Sequence, residues 1–151
     1  MSLASFAWPT AWREDAKATY RAWCRERGVE PSVVELRETE DAPTAYGRLL
    51  DDAGRRDAVL CTYERLGYEL LDAARDRGIR VPEDLLIVAS GDEGRADSTD
   101  PPLTTIDFDP AALGAAAAET LVELVEGREP AARSRLVPAR LVVRGSSSAP
   151  A

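Results

Sequence analysis

Segments typical of strands and segments typical of helices alternate along this chain of 151 residues. The clearest strand is the apolar run from Leu85 to Ala89, which has polar flanks and is typical of a strand buried on both faces of a parallel sheet. The clearest helix has Asp109 as its N-cap and Pro110 at its first position, and it ends before Gly127. This alternation predicts an α/β fold of the Rossmann-like or flavodoxin-like kind, with a mostly parallel sheet and helices on both faces.

Apolar spacing and helix-ending residues predict the other elements. Further strands are expected at 4–8, 32–37, 58–62, 103–108 and 136–144. Further helices are expected from the N-cap Thr10 to Gly28, after Asp41 to residue 53, and at 64–77. The long polar loop at 90–102 is a candidate for function, and residues 145–151 are expected to form a flexible tail.

Composition excludes several classes of function for this part of a protein. The formal net charge is -8, so the attraction for phosphates that supports nucleic-acid binding is missing. The chain has no histidine and no CxxC pair, and it contains no GxGxxG or Walker loop, so we expect neither a metal site nor a cofactor. Cys24 and Cys61 are interpreted as small buried residues in a reducing cytoplasm. No run approaches the ~20 apolar residues of a membrane span, and no signal peptide is recognisable.

Polar residues follow several of the predicted strands. Ligands of open parallel sheets bind beyond the carboxyl ends of the strands, so these residues are expected to share one rim. They are Pro9 and Thr10, Thr39 and Glu40, Thr62, Tyr63 and Glu64, and Ser90, Gly91 and Asp92. Hydroxyls, carboxylates and an aromatic ring suit a sugar or polyol, although loops at strand ends are polar in every α/β protein.

The individual candidates each have a structural alternative. Asp92 is the first choice for a ligand contact, and Tyr63 could either stack on a ligand or cap the strand edge. Glu64 could bind ligand or begin its helix, where a carboxylate meets the helix dipole favourably. Arg13 could contact the ligand or lie solvated on the surface. The aromatic residues Trp12, Tyr20 and Trp23, at helical spacing, are expected in the core.

The second half of the chain carries a recognisable order of motifs. Gly78-Ile79-Arg80-Val81-Pro82-Glu83-Asp84 precedes the apolar strand and the acidic loop, Pro101-Pro102-Leu103-Thr104-Thr105-Ile106 follows, and Leu136-Val137-Pro138 and Leu141-Val142-Val143-Arg144 close the pattern. This order resembles the sensor domain of the lactose- and galactose-repressor (LacI/GalR) family of transcription regulators. The resemblance implies that residues 1–144 are the C-terminal lobe of a two-lobed effector-binding domain, related to periplasmic sugar-binding proteins.

The same resemblance implies parts that this chain lacks and departures within its pocket. A helix-turn-helix head would bind DNA, and the helix at 109–126 would pack on the absent N-terminal lobe. The usual arginine of the first helix is Ala16 here, and the usual Asn-Asp pair is Tyr63-Glu64. After the fourth strand only Asp92 matches the Gly-aromatic-Asp-Asp pattern, so the effector differs from a typical sugar or the pocket has drifted.

The leading interpretation is therefore a cytoplasmic, homodimeric, non-enzymatic sensor whose effector controls DNA binding by the missing head. A periplasmic-type solute-binding protein is the alternative, and a small flavodoxin-like enzyme or receiver domain is a third. The apolar residues Leu113, Ala117, Leu121 and Leu124 would lack their partner lobe. The helix is expected either to mediate self-association or to fold back on its own sheet.

Overall fold

The computed structural model describes residues 1–6, 10–36, 42–53, 57–91, 94–130, 132 and 134–148. Within them the strands are β1 (Ser2–Phe6), β2 (Val33–Leu36), β3 (Ala58–Cys61), β4 (Leu86–Ser90), β5 (Thr104–Asp107) and β6 (Arg140–Val142). The α-helices are α1 (Ala11–Glu26), α2 (Ala42–Ala53), α3 (Glu64–Asp76) and α4 (Pro110–Val125), and a 3₁₀ turn spans Ala96–Ser98. None of the helices in these ranges is long and apolar enough to cross a membrane.

The six strands form one sheet in the order β2-β1-β3-β4-β5-β6. Strands β1 to β5 are parallel, and only β6 runs antiparallel, against β5. The predicted mostly parallel α/β fold is confirmed, and most elements lie within two residues of their predicted bounds. The last strand, β6, is shorter than the predicted 136–144. It lies at the edge of the sheet and pairs only with Thr105 to Asp107 of β5, and Pro138 before it has no N–H to donate.

The two faces of the sheet are covered unequally. Helices α2 and α3 bury the main core, in which Leu49, Leu66 and Leu70 pack with Val59 and Ile87. On the opposite face, α1 contributes Tyr20 and Cys24 to a much smaller cluster with Leu3 of β1. The α1 face of β3, β4 and β5 therefore has little cover from the described helices.

The segment predicted to start a flexible tail is instead attached to the sheet over residues 145–148. Ser146 is completely buried, and its hydroxyl donates to the Ile87 carbonyl at 2.6 Å and accepts from the Thr104 N–H at 2.8 Å. The Ser147 hydroxyl lies 2.7 Å from that of Thr104. The flexible-tail prediction was wrong here because these serines satisfy backbone groups that would otherwise be buried without partners. Residues 149–151 lie outside the described part of the chain.

Helix α4 does not fold back on its own sheet. Leu121 is 62% exposed, and Leu113, Leu124 and Val125 on the same helix are also exposed. Its Ala116 is buried, and the returning segment packs beside the helix, where the Arg135 guanidinium donates to the Glu119 carboxylate at 2.7 Å. Of the two predicted outcomes for this apolar helix, folding back is therefore wrong and self-association stays a prediction.

The two cysteines are predicted to be unreactive in the folded chain. Both are completely buried, as expected from the sequence, and they belong to clusters on opposite faces of the sheet. Burial also raises the pKa of the Cys61 thiol to about 12, which strongly disfavours its thiolate at pH 8. A thiol reagent should modify neither cysteine in native buffer and both in denaturant. Rapid labelling of the native chain would contradict this packing.

Candidate functional site

An open groove of about 560 Å³ lies between α1 and the uncovered part of the sheet. We call it the α1 groove. Its lining is mainly apolar, and Asp15 is the single charged residue among the described residues that line it. The lining includes Trp12, Thr19, Trp23, Leu60, Thr62, Ser90, Ile106 and Phe108.

The strand-end part of the α1 groove combines hydroxyls with aromatic rings. Thr62 and Ser90 stand at the carboxyl ends of β3 and β4, Phe108 follows β5, and Trp12 lies in the first turn of α1. Thr62 is held by two contacts to β1, because its N–H donates to the Ala4 carbonyl and its hydroxyl donates to the Ser5 hydroxyl at 3.2 Å. This is the edge at which open parallel sheets bind their ligands.

Glu64 and Gly91 meet where β4 ends. Glu64 is only 4% exposed, and a Cβ atom on Gly91 would overlap its Oε2 atom. Gly91 also has a φ of +93°, a conformation that favours glycine. Helix α3 comes this close because Gly67 has no side chain, and a Cβ there would lie 2.9 Å from Ala89. Glu64 therefore begins α3, which is one of its two predicted roles. Its carboxylate also packs against Gly91, the first residue after β4.

Tyr63 is not part of the α1 groove. It is the residue before α3, in an extended conformation, and its half-buried ring packs against the core on the α2 and α3 face. Ser90, by contrast, lines the groove on the α1 face. Of the two roles predicted for Tyr63, the structure favours packing at the strand edge.

Arg13 and Thr10 lie at the start of α1. Arg13 is only 7% exposed, with its guanidinium carbon 5.1 Å from the centre of the Trp12 ring. The predicted solvated position of Arg13 is therefore wrong, because the side chain turns in along the neighbouring tryptophan. Thr10 accepts the N–H groups of Arg13 and Glu14 through its carbonyl, at 3.0 and 3.1 Å. Its buried hydroxyl has no hydrogen-bond partner among the described residues.

Asp92, the first choice from the sequence, lies outside the described residues, as do Pro9, Thr39 and Glu40. Its role in binding therefore stays a prediction. In the described ranges, acidic and cysteine side chains form no group of three or more that could hold a metal ion.

Sequence reasoning missed the aromatic residues of the α1 groove. Tyr20 lies in the core as predicted, and its hydroxyl donates to the Met1 carbonyl at 2.8 Å. Trp12 is 48% exposed, however, and Trp23 is also partly exposed, so their predicted core positions are wrong. The reason is that α1 packs over β1, which leaves both rings beside uncovered strands. Phe108 could have been noticed as an apolar residue directly before the N-cap Asp109.

Comparison with known proteins assigns the fold to a family. Residues 5–147 match the model of the periplasmic binding protein-like domain. The HTH-type transcriptional regulator MalR of Streptomyces coelicolor is 42% identical over 92 residues, which are 60% of this chain and 26% of MalR. A LacI family regulator from Bifidobacterium animalis, at 23% identity, superposes with a TM-score of 0.87 over 99% of this chain and 55% of that one.

A second solved structure was obtained with a sugar. It is a LacI family transcriptional regulator from Arthrobacter sp. FB24 in complex with lactose, 28% identical, with a TM-score of 0.78 over 97% of this chain and 58% of that one. The chain spans only about a quarter of MalR and little more than half of each solved structure. The matched residues nevertheless include β2 to β6 and all four helices. This chain therefore belongs to the LacI/GalR family of transcriptional regulators and contains part of its periplasmic-binding-protein-like effector-binding domain.

Proposed function

We propose that this chain is the effector-sensing part of a LacI-type transcription regulator and binds a neutral polyhydroxylated molecule, a sugar or polyol. The observation that carries this proposal is the strand-end part of the α1 groove, where the hydroxyls of Thr62 and Ser90 and the rings of Trp12 and Phe108 line one cavity. The solved Arthrobacter relative was crystallised with lactose, which supports this ligand class.

The chemistry of this rim fits a sugar better than a charged metabolite. Aromatic rings can pack against the apolar C–H face of a sugar ring. The Ser90 hydroxyl can both donate to and accept from sugar hydroxyls, whereas the Thr62 hydroxyl, which donates to Ser5, can accept. The chain carries a net charge of -8, which disfavours anionic ligands. Asp15 is the charged group of the described lining, and it can accept a pair of hydroxyl protons.

Regulation would follow from closure of two lobes around the effector. A ligand that contacts both lobes binds the closed arrangement more tightly than the open one, so it favours closure. Closure changes the spacing of the DNA-binding heads in a dimer. In this proposal the regulator is cytoplasmic, homodimeric and not an enzyme, and DNA contacts come from a separate head domain. A periplasmic solute-binding role is not favoured, because the curated relatives are HTH-type transcription regulators.

Titration calorimetry of the chain against a panel of neutral sugars and polyols tests the proposal. Ser90→Val and Trp12→Ala should each weaken binding of the sugar that the wild-type chain binds by about five- to tenfold, since each removes a contact worth about 1–1.5 kcal/mol. Trp23→Ala is the matched control, because Trp23 lies on the same helix towards its other end and should leave binding unchanged. A panel in which no sugar binds, or equal binding by Ser90→Val and Trp12→Ala, would contradict the proposed site.

A further inference from the structure

Three hydroxyl side chains stand next to one another across the carboxyl ends of three adjacent strands. The residues directly before them are paired in register, Ala4 with Cys61 and Cys61 with Ala89. Neighbouring strands lie about 4.8 Å apart, so the three side chains that follow form a row. They are Ser5 of β1, Thr62 directly after β3 and Ser90 at the end of β4, and we call them the hydroxyl row.

Burial decreases along the hydroxyl row. Ser5 is completely buried, Thr62 is 3% exposed, and Ser90 is half-buried. Thr62 and Ser90 line the α1 groove, whereas Ser5 does not. A ligand in the groove can therefore contact Thr62 and Ser90 directly, and Ser5 can act on that ligand only through Thr62.

The contact between Ser5 and Thr62 determines what Thr62 can offer to a ligand. A hydroxyl has one proton to donate and two lone pairs that accept. The Thr62 hydroxyl donates its proton to the Ser5 oxygen at 3.2 Å, and the Thr62 N–H donates to the Ala4 carbonyl at 2.9 Å. Both donors of Thr62 are therefore used within the protein, and its hydroxyl oxygen is left as an acceptor.

We propose that Ser5 is a positioning residue that makes the effector site select for a free hydroxyl donor at Thr62. The inference rests on the proposed sugar site and adds which kind of atom that site requires. An effector O–H can donate to the Thr62 oxygen, whereas an ether oxygen or a fluorine at the same point would place one acceptor against another. The Ser90 hydroxyl can donate or accept, so the requirement is expected at Thr62 and not at Ser90.

Titration calorimetry with fluorinated sugars tests this selectivity. The probes are D-glucose, D-galactose and D-mannose, and all monodeoxyfluoro analogues of each, because fluorine replaces one hydroxyl at a time and cannot donate. For a hexose that the wild-type chain binds, at least one analogue should bind about tenfold more weakly or worse. Ser5→Ala removes the acceptor for the Thr62 proton, which can then turn towards the groove. That analogue should consequently bind more tightly to Ser5→Ala than to the wild type, within about threefold of its parent hexose.

Two further variants separate this effect from a loss of structure. Ser2→Ala also removes a buried hydroxyl of β1, one that donates to the Ser32 hydroxyl at 3.3 Å near the amino end of the strand. It should keep the wild-type ratio of hexose to analogue affinity. Thr62→Val should bind hexose and analogue equally weakly, and this result does not depend on whether Ser5→Ala folds. Circular dichroism checks the fold of each variant.

The outcomes distinguish this inference from the proposed function. If a hexose binds but none of its analogues binds more weakly, the selectivity is overturned while the sugar site stands. The same holds if folded Ser5→Ala keeps the wild-type ratio, or if Thr62→Val still discriminates between hexose and analogue. If no hexose binds, this inference fails, and the full panel of sugars and polyols decides the proposed function separately.

Discussion

Gly91→Ala is expected to destabilise the fold by about 2–4 kcal/mol, a large effect for one added methyl group. Alanine is strained at a φ of +93°, which costs on the order of 1–2 kcal/mol, and its Cβ would overlap the buried Glu64 carboxylate. The overlap involves the end of the Glu64 side chain, which is only 4% exposed, so relieving it requires a buried carboxylate to move. Urea unfolding followed by circular dichroism would measure the loss.

Gly94→Ala is the matched control for this substitution. Gly94 also has a positive φ, +80°, but no atom of the described residues lies within 4 Å of a Cβ placed there, so only the backbone strain of about 1–2 kcal/mol is expected. The double variant Glu64→Ala/Gly91→Ala should lack the overlap. Its free energy of unfolding should therefore fall below that of Glu64→Ala by about as much as Gly94→Ala falls below the wild type. Equal stabilities of Gly91→Ala and Gly94→Ala would show that Glu64 does not occupy the position described here.

Ser146→Ala is expected to cost about 2–5 kcal/mol, although the serine lies near the end of the chain. The substitution removes one hydroxyl that bonds the Ile87 carbonyl at 2.6 Å and the Thr104 N–H at 2.8 Å. Both backbone groups belong to the buried region around β4 and β5, and each costs about 1–3 kcal/mol when left without a partner. Thermal and urea unfolding should both show the loss.

Ser148→Ala provides the comparison. Its hydroxyl also bonds a backbone carbonyl, that of Arg144 at 2.8 Å, but Ser148 is exposed and water can replace it. The expected change is below about 0.5 kcal/mol. If Ser146→Ala were as stable as Ser148→Ala, the segment after β6 would behave as the flexible tail that its composition suggests.

The fold could be predicted from the sequence because its signals are local. The apolar run before Ser90 and the cap residues Asp109 and Pro110 each reflect a preference that holds before tertiary contacts form. The family motifs from Gly78 to Ile106 predict the same fold through the resemblance.

The flexible tail predicted at the end of the chain was wrong because its packing depends on distant residues. Serine and glycine near a terminus usually indicate flexibility, and only the three-dimensional position of Ile87 and Thr104 explains why Ser146 is buried.

The candidate site was predicted less well than the fold. The positions of Thr62 and Ser90 at strand ends could be predicted because strand ends follow from strand positions. The exposure of Trp12 and Trp23 depends on how much of the sheet α1 covers. Helical spacing predicts that one face of α1 is buried, but it does not predict which strands that face covers. Tyr63 and Ser90 were expected on one rim, yet they lie towards opposite faces of the sheet, a distinction that depends on how each side chain packs.

The most direct test of the proposed site is an NMR titration of the chain with the sugar that calorimetry identifies. Trp12 and Trp23 report on the two ends of α1 through their indole N–H signals, and backbone amides report on the strand ends. We predict shifts at Thr62, Ser90 and the Trp12 indole, with little change at the Trp23 indole or at Asp57 and Leu85, which lie at the amino ends of β3 and β4. Shifts confined to the amino ends of the strands, or to Trp23 without Trp12, would contradict the assignment of the effector site.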